Sequence, residues 1–226
     1  MMGIKKADAP VQVTPLPKMQ MGCAILVLIS EAACYSYLFP FVPFMVRSFG
    51  NIAEEDVGFY SGWIASSFMF GQFLSAFIWG YLSDLYGVKP VILFCCACNA
   101  TLTLCFGLST SLGMALSIRF VAGLLNGNIG VVKTFIGLIS DESNEAIAFG
   151  QMALCWGVGS ILGPGISGLL SEPATHMPRY FSQDGLFAHY PYLLPCMVMS
   201  LIPYAGMTLG YFWLVEPSRG VGKPAP

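Results

Sequence analysis

Two ionisable side chains, Glu31 and Arg119, stand inside long apolar stretches of the sequence. An ionisable group at the centre of a membrane helix costs roughly 2.5–3.5 kcal/mol on insertion scales, so each one needs a reason. At 1.5 Å per residue, Glu31 lies about 18 Å and Arg119 about 21 Å from the same side of the predicted bundle. We therefore expect the two side chains to pair across the bundle, either as a structural ion pair or as a proton relay.

A second pattern surrounds Arg119. Arg119, Gly123, Asn126, Gly130 and Lys133 recur at i, i+4, i+7, i+11 and i+14, which is one stripe along a helix. Basic and amide groups on one face of a membrane helix indicate a water-filled cavity and an anionic or zwitterionic ligand. We predict that Asn126 and Lys133 bind substrate. The alternative for Lys133 is that its long side chain reaches outward to the membrane surface.

Single polar residues in other apolar stretches extend the candidate site. Tyr35 follows Glu31 by one helical turn and is a candidate cavity residue. Gln72 is a candidate substrate ligand, although an interhelical hydrogen bond is the favoured explanation for it and for Asn99. No nucleophile–base spacing or phosphate loop indicates an enzyme. All eight cysteines lie in predicted spans, and the cluster Cys95-Cys96-Ala97-Cys98 has no His, Asp or Glu nearby, so we predict apolar filling, no metal site and no cofactor.

The composition shows which elements must position these groups. The 226 residues are 56% hydrophobic and 10% charged, with a mean hydropathy of +0.70. Soluble domains carry roughly 25% charged residues, and about 20 apolar residues cross a bilayer as a helix. We predict an all-α polytopic membrane protein in the lipid bilayer, with no nucleic-acid partner. Its tails would be 1–18 and 216–226, and its six spans 19–46, 58–82, 88–110, 113–138, 147–171 and 190–215.

Basic residues predict the orientation of these spans. Lys and Arg accumulate in cytoplasmic segments of membrane proteins. If both termini are cytosolic, the outer segments hold only Arg47 and Arg179. The cytosolic segments then hold six basic residues: Lys5, Lys6, Lys18, Lys89, Arg219 and Lys223. We therefore expect both termini to be in the cytosol.

Two spaced motifs indicate a family. Residues 80–90 read GYLSDLYGVKP, in which Gly80, Leu82, Asp84, Gly87 and Lys89 match the loop signature of the major facilitator superfamily. This loop lies between the second and third spans, and the resemblance implies a gating role for Gly80, Asp84, Gly87 and Lys89. Leu85 and Val88 replace the two arginines of the signature.

The second motif lies in the fifth span. Small residues let membrane helices pack closely, and an internal proline bends a helix. The spacing resembles the antiporter-type signature of the same superfamily and predicts a packing motif of Gly150, Gly159, Gly163, Pro164 and Gly168.

Longer stretches resemble the zinc-induced-facilitator-like group of that superfamily. They are LFPFVPFMVRSF at 38–49, EEDVGFYSGWIASSFMFGQ at 54–72, RFVAGLLNG at 119–127 and FSQDGLFAHYPYLLP at 181–195. The resemblance implies secondary transport of a small organic ion or metal chelator, coupled to protons or another cation. It also implies a coupling role for Arg119 and a vacuolar or plasma membrane location.

The superfamily is built from two six-span halves with the substrate site between them. The sequence predicts the N-terminal half only, so we expect a transporter that pairs with a second half or forms a homodimer. The alternative is a non-transporting membrane protein that binds or regulates a full-length relative. A channel is disfavoured because no filter-like segment is visible.

Overall fold

The computed structural model describes residues 14–50 and 52–217, and all of its regular structure is helical. Most of both predicted tails, with Lys5, Lys6, Arg219 and Lys223, lies outside these ranges. One turn of 3-10 helix, Glu54–Asp56, precedes α3. The α-helices are α1 (Lys18–Ser36), α2 (Val42–Ser48), α3 (Val57–Tyr86), α4 (Val88–Gly107), α5 (Leu112–Leu124), α6 (Asn128–Ile139), α7 (Glu145–Leu170), α8 (Pro173–His176), α9 (Leu186–His189) and α10 (Leu193–Trp213).

Five described segments are long and apolar enough to cross a membrane. They are Lys18–Ser36, Val88–Gly107, Leu112–Ile139, Glu145–Leu170 and Leu193–Trp213. Helix α3 has 30 residues and is about 45 Å long, which suffices for a span. It is not among the five because Ser, Gly, Tyr and Trp lower its hydropathy. The structure is therefore all-helical as predicted, with five candidate spans where the sequence predicted six.

The predicted first span, 19–46, is not one continuous helix. Helix α1 ends at Ser36, and α2 begins at Val42 after a turn. Pro40 has no N–H to donate to the carbonyl four residues earlier, and its ring crowds that carbonyl, so a helix cannot run through it without a defect. The chain therefore turns where the sequence analysis had extended a single span.

Close helix pairs meet at glycines. A Cβ on Gly159 would lie 2.5 Å from the Ala32 Cβ of α1, and one on Gly163 would lie 2.5 Å from the Ala33 carbonyl oxygen. Helices α3 and α5 cross in the same way, since a Cβ on Gly123 would lie 2.1 Å from the Phe68 carbonyl oxygen. Small residues thus bring backbones together where lipid offers no hydrophobic driving force between helices.

The segment from 112 to 139 is broken at Leu125–Gly127, between α5 and α6. The side-chain oxygen of Asn126 accepts the backbone N–H of Asn128 at 3.2 Å, which competes with the helical hydrogen bond. Helix α3 satisfies a carbonyl left free by the break, because Trp79 Nε1 donates to the Leu124 oxygen at 2.8 Å. Irregular backbone at membrane depth requires such internal partners.

Two apolar clusters fill the bundle, one toward each end. The first includes Leu28, Cys96 and Phe135, and the second includes Tyr37 and Met199. The buried polar side chains near the middle of α1 belong to neither cluster. A polar layer therefore separates the two apolar clusters, and this layer holds the candidate site.

Candidate functional site

The site is built around Glu31, which is 3% exposed in the middle of α1. Its carboxylate accepts hydrogen bonds from three side-chain amides. Asn128 Nδ2 donates to Oε1 at 2.7 Å, Asn99 Nδ2 donates to Oε1 at 3.1 Å, and Asn126 Nδ2 donates to Oε2 at 2.7 Å. We call Glu31, Asn99, Asn126 and Asn128 the amide cage.

The break in the 112–139 segment makes the amide cage possible. Asn126 lies within the break and Asn128 begins α6, so two residues only two positions apart both reach Glu31. On a regular helix, residues i and i+2 point about 200° apart and cannot face the same group. The third amide, Asn99, comes from the middle of α4. Four structural elements thus meet at one carboxylate.

The amide cage offers partners to both protonation states of Glu31. Hydrogen bonds from N–H donors stabilise a carboxylate, whereas burial disfavours the charge. One polar atom remains unused, because Asn128 Oδ1 is buried without a hydrogen-bond partner in the described chain. A rotation of that amide would present an acceptor to a protonated Glu31, since an amide offers both a donor and an acceptor. The arrangement can therefore hold a carboxylate and can also accommodate a carboxylic acid.

A cavity of about 510 Å³ lies beside the cage, between α3 and α6. Its lining includes Gln72, Asn126, Gly130 and Thr134. Gln72 Nε2 also approaches the Asn126 carbonyl oxygen at 3.5 Å across the two helices. Asn126 is thus shared, because it lines the cavity and binds Glu31. One hydrogen bond, through Asn126, therefore connects the Glu31 carboxylate to the cavity wall.

The predicted pairing of Glu31 with Arg119 does not occur. No ion pair joins them in the described chain, and the Glu31 carboxylate is occupied by amides. The Arg119 guanidinium is buried, and its carbon lies 4.4 Å from the Phe68 ring centre and 5.8 Å from that of Phe106. Glu31 and Arg119 were predicted at a similar depth in the membrane, but an ion pair also requires the two side chains to point at each other.

The predicted stripe is not a single face. Arg119, Gly123 and Asn126 are buried, whereas Gly130 and Lys133 are not, and Lys133 is exposed. The break after Leu124 interrupts the helical period that the stripe assumed. Lys133 therefore lies apart from the cage.

Tyr35 makes ring contacts with two aromatic side chains. Its ring lies 6.1 Å from the ring of Trp156 on α7 and 5.8 Å from the ring of Phe39. The structure therefore places Tyr35 in an aromatic contact between α1 and α7.

The predicted gating loop is a single residue, Gly87, between α3 and α4. Its φ of +98° is a conformation that favours glycine. Asp84 was predicted in the loop between the second and third spans but lies in the last turn of α3. The carboxylate that does bind the start of α4 is Glu216, which accepts from the N–H groups of Val88 at 2.7 Å and Lys89 at 2.8 Å.

Two other residues of the loop motif have distinct surroundings. The Lys89 ammonium donates to the Tyr211 carbonyl oxygen at 2.9 Å, which ties it to α10. Gly80 lies inside α3 and has neither a positive φ nor a close neighbour at its Cβ position. Only Gly87 therefore needs glycine for its backbone.

The glycines of the predicted packing motif in α7 differ in how closely they approach other helices. Gly159 and Gly163 contact α1, and Pro164 lies inside the helix. A Cβ on Gly168 would make an ordinary contact of 3.6 Å with Pro40, whereas Gly150 has open space. Two glycines of the motif thus set the distance between α1 and α7.

Sequence reasoning missed Asn128 and Glu216. Asn128 lies off the stripe, and its role depends on the helix break. The signal that could have revealed it is the triplet Asn126-Gly127-Asn128, because adjacent Asn and Gly residues favour irregular backbone. Glu216 follows α10 in a segment that the analysis assigned to the tail, and no local pattern connects it to α4, 128 residues away.

Comparison with known proteins identifies the family. A profile described as Major Facilitator Superfamily matches residues 24–226, which is most of the chain. The chain belongs to this superfamily. The match confirms the resemblance inferred from the two spaced motifs.

Curated relatives of this major facilitator protein include two from Arabidopsis thaliana. One is a probable peptide/nitrate transporter, 39% identical over 203 residues, or 89% of this chain and 42% of the relative. The other is the protein ZINC INDUCED FACILITATOR-LIKE 1, 39% identical over 181 residues, or 79% of this chain and 38% of the relative. The chain therefore spans about two fifths of the length of these relatives.

A solved structure has the same fold. The human organic anion transporter TETRAN superposes with a TM-score of 0.69 at 19% identity, covering 90% of this chain and 49% of the human protein. At this identity the likeness concerns the fold alone.

Proposed function

We propose that the chain is the N-terminal half of a secondary active transporter that moves a small organic ion or metal chelator and is coupled to protons through Glu31. The amide cage is the observation that carries this proposal. A buried carboxylate inside a membrane bundle is expensive and marks ion or proton pathways. The shared residue Asn126 links this carboxylate to the cavity between α3 and α6.

The cage suits proton coupling because both protonation states can find partners. The ionised carboxylate is held by the three amides. Protonation removes the charge that holds these donors, and the unused Asn128 Oδ1 then offers an acceptor after the amide rotates. A change at Asn126 or Asn128 alters the break between α5 and α6. Proton binding thereby changes the shape of the cavity wall.

Substrate contacts are proposed at the cavity and not at the predicted stripe. Gln72 and Asn126 line the cavity and offer amide groups to a polar ligand. Lys133, exposed on α6, and Tyr35, beside Trp156, would contact substrate only from outside this cavity. The relatives' names make nitrate and small peptides the first substrates to try, with a metal chelate as the third.

We further propose that the chain pairs with a second transporter half or a second copy of itself, because alternating access needs two bodies. The exposed apolar side chains on α3 and α7 can face either lipid or a second helical body, among them Phe73, Phe77, Leu154 and Ile161. The basic residues support an orientation with both termini in the cytosol. The resemblance to the zinc-induced-facilitator-like group supports a vacuolar or plasma membrane. Lys18 and Lys89 lie at one end of the bundle, and Arg47 lies at the other with Glu54.

The test is proton-driven uptake by membrane vesicles from cells that express the chain. Labelled nitrate, a labelled dipeptide and a labelled metal chelate are offered with and without a pH gradient. We expect one of them to accumulate with the gradient, and Glu31→Gln to abolish that dependence. Glu142→Gln is the matched control, since it makes the same change on an exposed loop residue. Gradient-driven accumulation that persists in Glu31→Gln contradicts the assignment of Glu31.

A further inference from the structure

The guanidinium of Arg119 presents an unpartnered hydrogen-bonding edge inside the bundle. The residue is 4% exposed, and neither its Nε nor its Nη2 atom has a hydrogen-bond partner in the described chain. Buried polar groups are nearly always satisfied, so an exception calls for an explanation such as a functional role or a bound ligand. An uncompensated buried charge also costs several kcal/mol.

The identity of the two unpartnered atoms specifies the chemistry. Nε and Nη2 form one edge of the planar guanidinium and donate two parallel N–H bonds, which match the two oxygens of a carboxylate. The same chain shows this edge in use at Arg47, whose Nε and Nη2 donate to the two carboxylate oxygens of Glu54. The same two atoms, Nε and Nη2, bind a carboxylate in Arg47 and have no hydrogen-bond partner in Arg119 within the described chain.

Aromatic rings hold the Arg119 guanidinium in place. Its carbon lies 4.4 Å from the Phe68 ring centre and 5.8 Å from that of Phe106. The Tyr37 ring also packs on Phe106, with ring centres 6.3 Å apart. Stacked rings leave the in-plane edge of a guanidinium available and fix its direction. The buried carboxylate of the described residues, Glu31, is already bound by amides.

We propose that the Nε–Nη2 edge of Arg119 is a binding site for a planar oxyanion, with a carboxylate as its preferred ligand. The site stands on its own geometry and does not depend on proton coupling through Glu31. The carboxylate is either a small free acid or the acid group of a larger organic molecule. An ordered water alone, which would leave the charge uncompensated, is the competing occupant.

Thermal unfolding of the detergent-purified chain tests the site. Formate, acetate, benzoate, nitrate and chloride are titrated as sodium salts at constant ionic strength. We expect formate to raise Tm by about 5 °C at about 100 times its Kd, and spherical chloride to raise it less. A response that extends to benzoate assigns the site to the acid group of a larger molecule, and one limited to formate, acetate and nitrate assigns it to a small free anion.

Two variants separate the site from general salt effects. Arg119→Lys keeps the charge and loses the fork, so its preference for formate over chloride should disappear. Arg119→Gln removes the uncompensated charge, so it should unfold at a higher temperature than the wild-type chain without oxyanion and show no formate response. Arg47→Lys is the control, because that edge is already occupied by Glu54.

The outcomes decide the proposal in either direction. If formate does not raise the Tm of the wild-type chain, the proposal is overturned, and an ordered water is the better explanation for the unpartnered edge. A formate response that is unchanged in Arg119→Gln overturns it as well, because the binding would then lie elsewhere. If Arg119→Lys does not yield a single size-exclusion peak, the Arg119→Gln comparison alone carries the test.

Discussion

The carboxylate of Glu216 accepts the backbone N–H of Val88 at 2.7 Å, so the segment after α10 is bound to the first turn of α4. A second bond, from the Lys89 N–H at 2.8 Å, makes the contact bidentate. A carboxylate at a helix N-terminus satisfies unpaired N–H groups and interacts favourably with the helix dipole. One acidic side chain thus joins two segments at a single-residue turn of the backbone.

Replacing Glu216 by Ala should lower the free energy of unfolding by about 1–2 kcal/mol, because two N–H groups lose a charged acceptor. Glu216→Gln should cost less, since an amide keeps one acceptor oxygen. Thermal unfolding in detergent measures the effect, and Glu142→Ala on an exposed loop is the control. Equal stability of the Ala variant and the wild-type chain would show that the cap contributes nothing.

Adding a methyl group at Gly163 should destabilise the contact between α1 and α7. The new Cβ would lie 2.5 Å from both the Ala33 carbonyl oxygen and the Ser36 hydroxyl oxygen. Overpacking of this kind costs typically 1–3 kcal/mol. Gly165→Ala is the matched control two residues along the same helix, where the Cβ position is open. We expect a lower Tm for Gly163→Ala only, and a similar change in both variants would refute the packing argument.

The amide cage predicts strong coupling between Glu31 and Asn128. Hydrogen bonds to charged groups contribute about 1.5–3 kcal/mol, and residues in direct contact show comparable interaction energies. A double-mutant cycle with Glu31→Gln and Asn128→Ala should return a coupling energy in that range. The cycle of Glu31→Gln with Thr134→Ala is the control, since Thr134 donates to the Gly130 carbonyl instead. Additive effects in the first cycle would mean that the bond makes no net contribution.

The turn between α6 and α7 predicts a pH effect outside the membrane. Hydrogen bonds from the Ser143 hydroxyl at 2.5 Å and the Ser143 N–H at 2.8 Å lower the pKa of the Asp141 carboxyl. A lowered pKa stabilises the folded state above the unfolded pKa of about 3.9, and this contribution is lost as pH falls through the folded pKa.

Replacing Ser143 by Ala should therefore raise the pKa of Asp141, which carbon NMR of labelled aspartate measures directly. Ser140→Ala is the control on the same turn, because the Ser140 hydroxyl donates to the Ile136 carbonyl oxygen. A pKa that stays low in Ser143→Ala would assign the shift to the donors that remain, chiefly the Ser143 N–H and the Thr14 side chain.

Local patterns predicted more of the fold than of the site. The spacing of Gly159, Gly163 and Pro164 predicted a close packing face, and the contacts with α1 occur at both glycines. Gly87 was identified from the spacing of the loop motif, and its φ of +98° is a conformation that favours glycine. These features depend on a few neighbouring residues, so their spacing carries the information.

The pairing of charges could not be predicted in the same way. Depth along the membrane suggested that Glu31 and Arg119 would meet, but depth omits the rotation of each helix about its axis. The break before Asn128 turns two amides toward Glu31 and removes Lys133 from the predicted face. A prediction based on uninterrupted helical period fails wherever that period is interrupted.

The sequence by itself determined that this is a helical membrane protein of the major facilitator superfamily. A charge-poor composition reflects the lipid around the helices, and spaced small residues reflect the close packing between them. The tertiary structure alone decided what Glu31 and Arg119 contact. The partners of Glu31 lie 68, 95 and 97 residues away, so their approach depends on how the whole bundle packs. The same packing leaves one edge of Arg119 facing no partner in the described chain, because a buried group can use only the neighbours that the fold supplies.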